Sequence, residues 1–257
     1  MIVCKLCKEP KEKFPKSHII PDFMYKSVKN EKSQIFRMRM PHGRRLKPVF
    51  TGFYQKPFLC VDCEAKMNKW ENYAEKVLYG TTHFKVPKAT PTDDPLIQLI
   101  EGIDYNLFKL FLLSILWRAS VATHEFFIEV NLGSAHESSL AKMLIEEDPG
   151  EELDYPVMLV FAKGDVGKNV SIGQPYKSKT KENAVRYVFP ISEAIYVFHV
   201  SKHGLEDLHK SAAIKKNNTM KVVFWPVSRL HAFLELYDVR KSVLESRRAK
   251  LFGRRSF

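Results

Sequence analysis

Cysteine is scarce in this chain: there are four in 257 residues, and all are spent in two C-x2-C pairs, CKLC at Cys4 and Cys7 and CVDC at Cys60 and Cys63. Such pairing excludes the scattered framework of a disulfide-stapled domain. Long apolar runs are missing too. The most apolar stretch, Leu110 to Trp117 (LFLLSILW), is bracketed by Glu101, Asp104, Lys109 and Arg118. It falls far short of the ~20 residues that span a bilayer, so it reads as a buried helix and no membrane partner is expected. The opening MIVCKLCKEPKEK lacks the apolar core of a signal peptide, which makes the thiol-reducing cytoplasm the expected compartment. No period of roughly 20–50 residues recurs, which excludes a solenoid or propeller.

Acidic residues are sparse at both ends, and basic ones are sparse in the middle. Residues 1–90 carry 19 Lys/Arg against 8 Asp/Glu, residues 91–160 carry 3 against 13, and residues 161–257 carry 19 against 8. The net charge of +12 is therefore two basic ends around an acidic centre. Basic ends suit a polyanion such as nucleic acid, and the segment 91–160 suits a protein partner or a second copy of the chain. Solvated faces that keep the chain soluble would give the same totals.

A hydrophobic fraction of 45% is enough for a sizeable core. The expected fold class is α+β: a small cysteine-bearing module at 1–84, then a larger domain at 95–257. In the first part, Gln34 to Met40 is strand-like. A helix over Asp62 to Leu78 places Met67, Trp70, Tyr73, Ala74 and Val77 at helical spacing and stops at Gly80. Lys85 to Pro95 (KVPKATPTDDP) is full of breakers and reads as a linker. Helices are expected over about 95–148, two of them separated around Gly102 to Asp104. Strands follow at Val157–Phe161, Val185–Phe189, Ile195–Val200 and Met220–Trp225, and a last helix over about 226–250.

Two C-x2-C pairs with no further cysteine point to one four-thiolate zinc site at Cys4, Cys7, Cys60 and Cys63. Each knuckle brings two thiolates to the metal from a tight turn, and two knuckles complete a tetrahedron. Such a site has no open position for water, so this Zn2+ is expected to hold the fold and to do no chemistry.

Between the knuckles lies SHIIP, Ser17 to Pro21, and LCVDC follows at Leu59 to Cys63. Over about residues 1–75 these strings resemble the HNH, or ββα-metal, endonucleases, in the subgroup whose hairpin is braced by a zinc-knuckle pair. The resemblance implies a zinc-braced ββα-metal module in which His18 is the general base and Gln55 orients it. Glu64 and Asn68, one turn apart on the helix, are then candidate ligands of a catalytic Mg2+ or Mn2+. Ser17 stands where the family usually has an acidic metal ligand, and Glu64 where it has His or Asn. The resemblance further implies hydrolysis of phosphodiesters, with double-stranded DNA as partner and antiviral defence as a setting. Arg37, Arg39, Arg44, Arg45 and Lys47, in the long loop after His18, would take phosphates. The other reading is a non-catalytic zinc module, kept for binding nucleic acid or protein. A third is an interaction adaptor acting through the acidic centre.

His199 sits in an apolar strand pattern near His203 and His209 and reads as a sheet histidine. Gly164 to Lys168 (GDVGK) lacks both the Walker spacing and the following Ser/Thr, and reads as a turn.

Overall fold

Among the described residues the elements before residue 60 are short, as expected where prolines recur. The computed structural model describes residues 1–28, 35–38, 47–49, 52–80, 89–163, 172–192, 194–201 and 203–226. β1 (Ile2–Val3) pairs with β2 (Pro10–Lys11), and β3 (Ser17–His18) is followed by β4 (Ile35–Met38), β5 (Lys47–Val49) and β6 (Tyr54–Gln55). β3 and β6 form their own antiparallel pair, with Ser17 opposite Gln55 and His18 opposite Tyr54. The helix α1 (Val61–Tyr79) follows, burying Cys63, Met67, Trp70, Ala74 and Val77 on one face and closing at Gly80, whose φ is 68°. That is the face expected from the spacing. Its N-cap is Cys60, and Asp62 and Glu64 lie in the first turn.

Next come β7 (Ala89–Pro91), β8 (Ile97–Glu101), α2 (Tyr105–Val121), α3 (Ser134–Glu146), β9 (Val157–Lys163), β10 (Ile172–Gly173), β11 (Tyr176–Lys179), β12 (Val185–Ile191), β13 (Ala194–His199), α4 (Asp207–Ala212) and β14 (Thr219–Pro226). Ten strands make one mixed sheet in the order β5-β4-β10-β12-β13-β9-β14-β8-β7, with β11 added against β12. The chain is α+β, with four α-helices among the described residues.

Two sequence expectations are corrected by this sheet. Residues 97–101 form a strand, not a helix: Ile97 to Glu101 pair antiparallel with Val223 to Thr219, and Ala89–Pro91, expected in the linker, pair with their other side. Leu96, Ile97, Leu99 and Ile100 fit a helical stripe, but β-branched residues flanked by Pro95 and Gly102 also suit a strand, and two neighbouring strands decide it. Pro226 ends β14 beside Lys163 instead of opening a helix; the rest of the helix expected at 226–250 lies outside the described residues.

Asp104 caps α2, its carboxylate accepting from Leu107 N at 2.8 Å. From Phe108 to Ala119 every residue of the helix is buried, whichever face it lies on; it packs against α1 and α3. One core joins Leu59, Met67, Trp70, Phe111 and Trp117 to Leu159, Tyr187, Phe198 and Met220 on the sheet, so it crosses the expected linker. The opposite sheet face, with Met158, Val160, Val188, Ile195 and Val197, is met by Ala212 of α4. Part of the acidic centre is answered within the chain: Glu147 by Lys69 at 3.1 Å, Glu152 by Lys215 at 3.2 Å and Glu151 by Lys216 at 2.8 Å. No helix among the described residues is long and apolar enough to cross a membrane.

Candidate metal centre and histidine site

The CKLC knuckle is a turn in which Cys4 N donates to Glu9 O at 2.9 Å and Lys8 N to Cys4 O at 3.1 Å. Lys8 closes it in the left-handed region, at φ 61°. The second pair sits at the start of α1, where unpaired amides and the helix dipole favour thiolate. Cys60 N points at Cys4 Sγ from 3.3 Å. All four sulfurs lie within 4.8 Å of one another, and Cys7 and Cys60 are 4.0 Å apart. Thiolates about 2.3 Å from a tetrahedral zinc stand about 3.8 Å apart, so the cluster is compatible with a structural zinc site. Among the described residues it is the one group of three or more His, Cys, Asp or Glu side chains close enough to share an ion.

Electrostatics agree with that chemistry. Cys4 is held down at about 4, chiefly by its hydrogen bond from Cys63 and then by backbone amides of Cys60, Cys7 and Leu6. The same bond pushes Cys63 far up, helped by burial and by the charges at Cys4 and Cys60, while burial raises Cys7. One thiolate therefore opposes the next. A divalent cation among them reverses this by giving each thiolate a partner.

Strand alternation sends the two residues of β3 to opposite sides. Ser17 is fully buried; its hydroxyl donates to Glu64 Oε2 at 2.7 Å and accepts from Leu59 N at 3.4 Å. Burial pushes the Glu64 carboxyl up, against the Ser17 hydrogen bond and the positive charge of Arg118. His18 faces outward with 30% of its side chain exposed, its Nε2 4.0 Å from Asp22 Oδ1. Tyr54 meets the His18 ring edge-on at 6.2 Å, with Lys16 Nζ 5.0 Å from the centre of the Tyr54 ring.

The structure thus brings Ser17 and Glu64 into contact. Asn68 is exposed on α1. Gln55, expected to orient His18, lies opposite Ser17, and its amide oxygen accepts from Thr123 N at 3.0 Å; the carboxylate beside the His18 ring is Asp22. Arg37 and Lys47 are register partners on β4 and β5, while Arg39, Arg44, Arg45 and the GDVGK turn lie outside the described residues.

Sequence inspection missed three residues. Asp22 is four positions after His18. Glu71 is seven after Glu64, hence on the same helix face. Arg118 Nη1 donates both to Glu71 Oε1 and to the main-chain carbonyl of His18, each at 2.7 Å. Its only sequence signal was a charge at the end of an apolar run. Set against known protein families, curated proteins and solved structures, the chain matches none.

Proposed function

We propose that this chain is a metal-dependent endonuclease of the HNH type that hydrolyses nucleic-acid phosphodiesters, with double-stranded DNA as substrate. Zinc on Cys4, Cys7, Cys60 and Cys63 would have a purely structural role. The observation that carries this reading is the placement of His18: a part-exposed imidazole on a two-stranded antiparallel pair, immediately after a serine bonded to the helix that the cysteine cluster opens. In the proposed reaction neutral His18 takes a proton from water, and the resulting hydroxide attacks phosphorus in line with the departing 3′ oxygen. Asp22, 4.0 Å from Nε2, favours the imidazolium that forms.

Adjacent ligands of an octahedral Mg2+ stand about 3.0 Å apart, and Ser17 Oγ and Glu64 Oε2 are separated by 2.7 Å. That spacing is set by the hydrogen bond between them, which a hard cation would displace in taking both oxygens, with Asn68 as a further ligand from the next turn of α1. Ser17 is buried on the other side of β3 from His18, so a Mg2+ or Mn2+ held there would neutralise charge on the phosphate and on the leaving oxygen only if these side chains opened toward the His18 side. The test is cleavage of supercoiled plasmid with either metal by the intact protein and by His18→Ala. Nicking by the first and not the second is expected; equal activity in both removes His18 as the base.

A second reading, a zinc-braced module that binds nucleic acid or protein without cleaving it, is favoured by two observations. Ser17 and Glu64 satisfy each other directly, and among the described residues the cysteines are the one group placed closely enough to hold an ion. Plasmid retarded on a gel but never nicked, with either metal, is its expected outcome.

A further inference from the structure

We propose that Arg118 and Glu71 are positioning residues of the His18 site, an ion pair between α2 and α1 that fixes the main chain of the candidate base. The assignment rests on the endonuclease reading for its consequence in catalysis, but not for its geometry.

Arg118 is fully buried at the end of α2. Its own helix sets the direction of the guanidinium: Nε donates to Ser114 O at 3.2 Å and Nη2 to Ser114 Oγ at 3.0 Å. Ser114 is fixed in turn by donating to Phe111 O at 2.7 Å. The remaining corner, Nη1, is left aimed at two acceptors, the carboxylate of Glu71 and the carbonyl of His18. Glu71 is mostly buried, with 14% of its side chain exposed, and neutralises a charge that would otherwise be costly in that place. A rigid fork pre-aimed from one helix is something guanidinium supplies and ammonium does not.

Glu64 and Glu71 lie two turns apart on one face of α1, and both address β3. Glu64 holds the Ser17 side chain directly, and Glu71 holds the His18 main chain through Arg118. The other flank is fastened by Ile19 N donating to Phe53 O at 2.8 Å. The polypeptide at His18 is thus pinned by side chain, carbonyl and following amide, and one of those pins comes from a helix 100 residues away in sequence. The larger half of the chain is therefore part of the site.

The experiment uses the full zinc-loaded chain and three variants: Arg118→Lys, Glu71→Gln, and the double variant Arg118→Leu with Glu71→Leu. The double variant replaces the buried pair by apolar bulk, which commonly preserves stability, while removing the fork. Two quantities are read: the ring resonances of His18 by NMR, assigned against His18→Gln, and kcat and KM for plasmid cleavage with Mn2+. In the double variant and in Arg118→Lys we expect the His18 resonances to move or broaden and kcat to fall about 10–100-fold. KM should stay within about twofold and zinc content should be unchanged. A folded double variant with wild-type His18 resonances and wild-type kcat overturns the proposal. If the double variant does not fold, Glu71→Gln decides by the same resonances. If the wild type does not cleave, or His18→Ala cleaves equally well, the endonuclease reading fails, and the resonances still decide whether the pair positions His18.

Discussion

Ser17 Oγ donates to Glu64 Oε2 at 2.7 Å, and the serine is fully buried. A part-buried carboxylate that loses such a donor keeps only the more distant charge of Arg118 against its desolvation, so Ser17→Ala should cost about 1–3 kcal/mol of stability in denaturant titrations. Ser17→Asp asks a different question, because it sets two carboxylates against each other. It should be less stable than wild type in buffer free of divalent ions and should regain its melting temperature on addition of Mn2+. A melting temperature that ignores Mn2+ would show that this pair of positions does not hold a cation.

The zinc assignment predicts a coupled loss of metal and core. Cys60 is both a candidate ligand and the N-cap of α1, and Phe58, fully buried two residues before it, packs 6.2 Å from the Trp117 ring. Cys60→Ser should therefore bind no zinc and shift tryptophan emission to the red as the cysteine module opens, since such small sites take their folding energy from the metal. One zinc per chain in the wild type by metal analysis is the companion result. A metal-free variant with native emission and native stability would sink the assignment.

The parts legible in sequence were those with local causes. The knuckles follow from spacing, the buried face of α1 from its periodicity, and β9, β12, β13 and β14 from short β-branched runs between turn residues. His199 lies on β13 with no exposure, as its apolar pattern implied. What stayed hidden depends on distant partners. Residues 97–101 satisfy two periodicities, and only pairing with 219–223 selects the strand. Arg118 reads as the polar end of an apolar helix until the fold brings His18 and Glu71 to it. Gln55 is an amide on the strand that pairs with β3, and Thr123, 68 residues on, is what its oxygen reaches.

Gly52 is needed for want of a side chain, not for its backbone angles. A Cβ there would lie 2.4 Å from Cε2 of Tyr25. That ring is fully buried, and its hydroxyl accepts from Phe53 N at 3.1 Å, so it has little freedom to yield. Gly52→Ala should destabilise by about 1–3 kcal/mol through overpacking and disturb β6, and with it the Tyr54 and Gln55 positions. Removing the ring should remove the penalty: in a Tyr25→Ala background the same substitution should cost almost nothing further. Additive costs in the double-mutant cycle would point to a cause other than this contact.

The last prediction concerns acid. His209 on α4 is 3% exposed, its ring centre is 5.7 Å from that of the fully buried His199, and neither of its ring nitrogens has a well-formed hydrogen bond. Burial is the main force pushing His209 down to about 4; Arg186 and His199 add to it, while Glu206, 3.3 Å from Nδ1, opposes it. Burial also lowers His199. Because an unfolded histidine titrates near 6.5, the unfolded chain takes up protons first as pH falls. The neutral rings therefore contribute fully to stability above pH ~6.5, and that contribution declines between pH ~6.5 and ~4, by roughly 2–3 kcal/mol for His209. His209→Leu should flatten that part of the stability profile and, by removing a buried Nε2 that has no hydrogen bond, raise stability at neutral pH. Carboxylates titrate in the same window, so the quantity to measure is the difference between the wild-type and variant denaturation curves from pH 7 to pH 4. If that difference is flat, the proton that destabilises the fold enters somewhere other than α4.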